Sequence, residues 1–114
     1  MTEQKGPVLA SLVRSGDTQT EAIAITDFIF QVNDVSNLYL VNTTDGDVLV
    51  NTGFPDNAER NVALMKPKRT GPLRRIILTQ SHADHFGCLT EFLEPETQVI
   101  GGQGFDEAWA DMKR

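Results

Sequence analysis

Two apolar runs on either side of an Asp-Gly pair constrain this chain more than any other feature. Leu38-Tyr39-Leu40-Val41 leads through Thr43-Thr44-Asp45-Gly46-Asp47 into Val48-Leu49-Val50. Glycine accepts the positive φ that a tight turn requires, so Asp45-Gly46 in this setting predicts a β-hairpin. Upstream, Ile23-Ala24-Ile25-Thr26 and Phe28-Ile29-Phe30-Gln31-Val32 are rich in β-branched and aromatic residues, which suit a pleated, half-buried surface. Asn33-Asp34 breaks that run. Residues 23–50 therefore read as a meander of antiparallel strands.

The pattern then changes period. Asn51-Thr52-Gly53-Phe54-Pro55 ends the meander, and residues 56–65 place Ala58, Val62 and Met65 on one helical face, with Asp56 as the cap candidate. Pro67 stops that helix. Arg75-Ile76-Ile77-Leu78-Thr79 reads as a short buried strand, and Cys88-Leu89-Thr90-Glu91-Phe92-Leu93 as a short helix ending before Pro95. Gln98-Val99-Ile100 reads as another strand. Residues 105–112 read as a last helix, with Phe105, Ala108, Trp109 and Met112 on one face. Residues 1–20 are polar and irregular and read as an arm, with a turn of helix between Val8 and Val13. Residues 21–114 then make one mixed α/β domain, the size expected for a chain of 114 residues.

Charge narrows the partners. The net charge is −6, and the basic runs are limited to Lys66-Pro67-Lys68-Arg69 and Arg74-Arg75, so binding to a phosphate backbone is disfavoured. The single cysteine, Cys88, rules out a disulfide within the chain and is compatible with a reducing compartment. Neither an apolar stretch of bilayer length nor a secretory signal is legible, so the expectation is a cytoplasmic protein that does not engage a membrane.

Chemistry concentrates in Thr79-Gln80-Ser81-His82-Ala83-Asp84-His85-Phe86-Gly87, which holds both histidines of the chain. Imidazole nitrogen and carboxylate oxygen are good ligands for zinc and similar divalent ions. Along an extended backbone, residues two apart share a side, which groups Gln80 with His82 and brings Asp84 close behind. His85 joins them only where the loop turns, and Gly87 can supply the turn. Blander roles use the same residues: a pH-sensitive hydrogen-bonded cluster, or a polar loop capping the next helix. The position after a buried strand and before a glycine and a helix favours a site.

Gln80-Ser81-His82-Ala83-Asp84-His85 resembles the H-x-H-x-D-H signature of the metallo-β-lactamase-fold hydrolases, with glutamine in place of the first histidine. Asn37-Leu38-Tyr39-Leu40-Val41, the Asp45-Gly46 turn and Val48-Leu49-Val50-Asn51-Thr52-Gly53 resemble the N-x-Y-L-V … G … L-I-D-T-G opening of that family. Residues 81–87 and 99–105 are most similar to its alkyl-sulfatase branch. The resemblance runs from about Ile23 to the end of the chain.

It implies the N-terminal half of a four-layer αββα fold, with a metal site at one edge of two stacked sheets. It also implies one or two zinc ions and a small-molecule substrate: an ester, thioester, lactone, lactam, sulfate ester or phosphodiester. A bound zinc ion lowers the pKa of its water to about 7 and polarises the bond attacked. Carried over, His82 serves the first metal site, while Asp84 and His85 serve the second. Asp84 also orients the attacking water, and Gln80 is a weaker amide ligand. Asn51 stands where the family has an aspartate that supports the site from behind the ligands. Cys88 stands where it has a second glycine, as either a sulfur ligand or, the favoured reading, a small apolar residue starting a helix.

The family takes a further histidine, a bridging aspartate and a final histidine from later sequence, whereas no histidine follows His85 here. The expectation is a zinc hydrolase of which these residues are a fragment, inactive alone. The alternative is a non-catalytic interaction module with a weak or relic metal site. Its open apolar sheet face would be covered by a homo-oligomer contact or a partner chain.

Overall fold

The computed structural model describes residues 16, 18–79 and 88–101. Among these, six strands form one sheet in chain order: β1 (Ile23–Ala24), β2 (Ile29–Val32), β3 (Leu38–Thr43), β4 (Gly46–Val50), β5 (Leu73–Ile77) and β6 (Gln98–Ile100). The meander is present, since β1 to β4 pair antiparallel in sequence. Gly46 takes φ +116 at the hairpin turn, and a Cβ there would lie 2.7 Å from the Pro72 carbonyl oxygen. Glycine is therefore needed for both conformation and space.

β1 is shorter than the predicted 23–26 run. The Ile25 and Thr26 amides both turn back to donate to the Ile29 carbonyl, and the Thr26 hydroxyl accepts from the Phe28 amide. A tight turn thus consumes groups that a longer ladder would have used.

Helix α1 (Ala58–Met65) lies between β4 and β5 in sequence, and α2 (Leu89–Phe92) between β5 and β6. These excursions let β5 pair parallel to β4, and β6 parallel to β5. Asp56 does not cap α1. Pro55 opens a 3-10 turn over Pro55–Asn57, which places Asp56 inside that turn and Asn57 at the N-cap without a side-chain cap bond. Pro67 falls in a second 3-10 turn, Lys66–Lys68, and α1 stops before it. β5 begins at Leu73, earlier than its apolar run suggested, and Leu78 continues its line by donating to the Ile100 carbonyl.

Register sets the core. Phe30, Leu40, Leu49, Ile76 and Val99 are successive cross-strand partners, so one row crosses five strands. Met65 of α1 and Leu89 and Phe92 of α2 pack with this row. Full burial of a leucine such as Leu49 stabilises by roughly 1.5–3 kcal/mol. The opposite face carries Ile29, Val41, Val48 and Arg75 in one row and Tyr39, Val50, Ile77 and Ile100 in the next. This face is half-buried or exposed, and largely apolar.

Gln19 is tied to this sheet. Its side chain accepts from the Asn33 amide at 2.8 Å and donates to the Gln31 carbonyl at 3.2 Å. The helices expected at residues 8–13 and 105–112 lie outside the described residues. Among the described residues, no helix is long and apolar enough to cross a membrane.

Candidate metal centre

Parallel pairing brings the C-terminal ends of β4 and β5 side by side, with Val50 opposite Ile77. The next residue, Asn51, donates its amide to the Ile77 carbonyl at 2.8 Å. It sits at φ 63, a left-handed conformation that asparagine tolerates better than most residues. Its side chain reaches Thr79: Oδ1 accepts from the Thr79 amide at 3.0 Å, and Nδ2 donates to the Thr79 hydroxyl at 3.1 Å. Thr52 follows, fully buried, and its hydroxyl accepts from the Cys88 amide at 3.1 Å. Two consecutive residues therefore grip the chain where it leaves β5 and where it re-enters at α2.

A buried polar knot backs that grip. Asn61 of α1 donates to the Asp34 carboxylate at 2.8 Å and to the Thr52 carbonyl at 3.3 Å. Asp34 also accepts from the Phe54 amide at 3.1 Å and from Asn57 Nδ2 at 2.8 Å, and Arg60 stands 3.7 Å away as its counter-charge. A buried carboxylate is tolerable only when paired and hydrogen-bonded in this way. Gly53, at φ +97, passes so close that a Cβ would lie 2.5 Å from Asp34 Oδ2.

Cys88 closes the knot from above. Its thiol contacts the Phe54 carbonyl at 3.1 Å. Burial, and then the negative charge of Asp34, push its pKa up to about 12. Its burial and its contacts with Phe54 and Thr52 pack it as a small residue at the start of α2.

The predicted ligands Gln80, His82, Asp84 and His85, with Gly87, lie outside the described residues. Among the described residues, no group of three or more His, Cys, Asp or Glu side chains is placed to hold a metal ion. The donor set between the two grips nonetheless suits zinc in kind: two imidazoles, one carboxylate and one amide. Arg60, the basic side chain of this region, is directed at Asp34, the Asn33 carbonyl and Asn61. The sequence alone does not mark Asp34, Thr52 and Asn61 as the buried polar knot. Asn33-Asp34 read as a breaker, and Asn61 is hidden beside the apolar face of its helix.

At the opposite end of β4 and β5 lies a second polar cluster. Burial alone would raise the Asp47 pKa, but Arg69 at 2.7 Å, then Thr70 and Asn42, outweigh it and hold the carboxyl below its usual range. Glu94 is likewise lowered: its burial is outweighed by the Leu73 amide at 2.9 Å and by Arg69 at 2.9 Å. This cluster braces the sheet where β4 and β5 begin.

A hairpin-fed mixed sheet, with Asn51 and Thr52 at the end of β4 bonded to Thr79 and Cys88, defines the class. The sequence profile of the metallo-beta-lactamase superfamily matches residues 32–106, and the chain belongs to that superfamily. Its fold is the corresponding part of the metallo-β-lactamase fold. The alkyl/aryl-sulfatase BDS1 of Saccharomyces cerevisiae is 29% identical across 74% of this chain and 15% of its own length.

The sec-alkylsulfatase Pisa1 from Pseudomonas sp. superposes with a TM-score of 0.66 at 23% identity, covering 76% of this chain and 15% of that one. A Cronobacter sakazakii metallo-β-lactamase with a HARLDQ motif gives 0.75 at 16% identity, covering 92% of this chain and 40% of that one. The chain thus spans less than half the length of each of these proteins.

Proposed function

We propose that this chain supplies the zinc-binding half-site of a metal-dependent hydrolase acting on sulfate esters of small organic alcohols. The observation that carries the reading is the pair of grips from Asn51 and Thr52 onto residues 79 and 88, which flank His82-Ala83-Asp84-His85. Membership of the superfamily supports hydrolysis. The sulfatase names of BDS1 and Pisa1 support the substrate class.

In this reading His82 binds one zinc ion with the Gln80 amide beside it, and Asp84 and His85 bind a second. Zinc held there supplies positive charge that acidifies water and polarises the ester. The Asp84 carboxylate accepts a hydrogen bond from the attacking water and orients it. Further ligands come from outside these residues.

The test is the zinc content of the purified, dialysed chain and of its Asp84→Ala variant, by elemental mass spectrometry. The expected result is bound zinc in the parent chain and its loss in the variant. Zinc unchanged in the variant would remove Asp84 from the site. Zinc absent from both would leave an interaction module with a relic site.

A further inference from the structure

Helices α1 and α2 leave an apolar trough on their side of the sheet. Two adjoining cavities, of about 310 and 530 Å³, share Val62, Lys66 and Glu91 and so form one depression. Ala58, Val62, Met65, Phe92 and Leu93 give it an apolar floor, and Leu93 is 40% exposed. Lys66, just past α1, and Glu91, on α2, border it. Among the described residues neither enters an ion pair. An apolar strip rimmed by charges of both signs suits an amphipathic helix that carries a matching charge on each flank.

The chain supplies such a sequence directly after β6. Residues 102–114 lie outside the described residues, but their order is informative. Phe105, Ala108, Trp109 and Met112 recur at helical spacing. Phe105 to Met112 would span about 10.5 Å along a helix, the same length as Ala58 to Met65 on α1. At about 100° per residue, Asp111 falls on one flank of that apolar face and Lys113 on the other. β4, β5 and β6 are parallel, so the chain leaves β6 at the same sheet end from which it leaves β4 toward α1. A helix that turns back from there runs in the direction of α1. Its last turn, with Asp111 and Lys113, then comes level with Lys66 at the end of α1, with Glu91 across the trough.

We propose that residues 105–112 form a helix that docks in this trough, with Trp109 against Val62 and Ala63, Asp111 beside Lys66, and Lys113 beside Glu91. The docking is independent of the proposed zinc chemistry.

Trp109 is the only tryptophan of the chain, so its fluorescence reads the docking directly. In the full 114-residue chain its emission should be blue-shifted, and several-fold less quenched by acrylamide, than in urea. Ala63→Glu puts a charge into the trough at an exposed helical position, where glutamate is a good helix former. It should move Trp109 to the emission and quenching of the unfolded chain, while the far-ultraviolet signal keeps its cooperative urea transition. Lys66→Glu should expose Trp109 in part. Lys66→Glu combined with Asp111→Lys should restore the parent emission, a reversal that general destabilisation would not give.

A parent Trp109 as open to acrylamide as in urea would overturn the docking. So would a shielded Trp109 that ignores both Ala63→Glu and the exchange of charge between positions 66 and 111. Shielding that fades on dilution, with a dimer in sedimentation, would overturn it as well, by giving the trough to the segment of a second copy.

Discussion

Replacing Gly53 by alanine tests the buried knot directly. Gly53 holds φ +97, where an L-residue with a Cβ pays roughly 1–2 kcal/mol. The added methyl would lie 2.5 Å from Asp34 Oδ2, closer still to Asn61 Nδ2, and 3.1 Å from Leu38 Cδ2. None of the three can yield cheaply: Asp34 and Asn61 are buried and bonded to one another, and Leu38 is core. Overpacking of this kind costs about 1–3 kcal/mol. The two effects sum to about 2–5 kcal/mol, a large part of the stability of an ordinary small domain.

Gly71→Ala provides the contrast. A methyl added there would meet only the Gly46 Cα, at 3.5 Å, an ordinary contact, and its φ lies outside the left-handed range. Alanine there should be neutral or stabilise by about 0.4–1 kcal/mol, by narrowing the unfolded ensemble. Urea unfolding followed by far-ultraviolet circular dichroism measures both variants, with unchanged slopes required for the comparison. A Gly53→Ala protein within about 0.5 kcal/mol of the parent would refute the reasoning, as would equal losses at the two sites.

Three further outcomes are expected. Leu49→Ala, at the centre of the core row, should lose about 2–5 kcal/mol in the same unfolding assay. Asp47 and Glu94 have folded pKa values below their ordinary 3.8 and 4.5, so their contribution is full above about pH 4.5 and is lost as pH falls through the lowered values. Arg69→Gln should therefore be less stable than the parent at pH 7 and converge on it during acid titration; a constant gap would count against the cluster. Cys88, with its thiol pushed up to about 12, should react very slowly with a disulfide reagent at pH 8 in the folded chain and fully in urea. Rapid labelling of the folded protein would contradict its burial.

Local order was legible where one short-range rule ruled. Short apolar runs rich in β-branched and aromatic residues marked β2, β3, β4 and β6, the Asp45-Gly46 pair marked the hairpin, and Pro67 marked the end of α1. The candidate ligand segment stands out in sequence for a chemical reason, since both histidines and an aspartate fall within four residues, but it lies outside the described residues. Asp56 was misread as a cap because the competing signal, Pro55 at the head of a 3-10 turn, acts one turn earlier. Cys88 was ambiguous in sequence, as a thiol becomes ligand or filler only through its surroundings, and here it is fully buried with its thiol against the Phe54 carbonyl and its amide held by Thr52.

The sequence by itself determined which of the described segments extend and which coil, because those properties depend on neighbours a few positions away. Only the tertiary structure decided that β5 lies parallel beside β4, that Asp34 meets Asn61 across 27 residues, and that Thr52 holds Cys88 across 36. Such pairings carry no periodic signature. They exist because folding the apolar row from Phe30 to Val99 into one core brings distant polar groups together away from water, where each must find a partner.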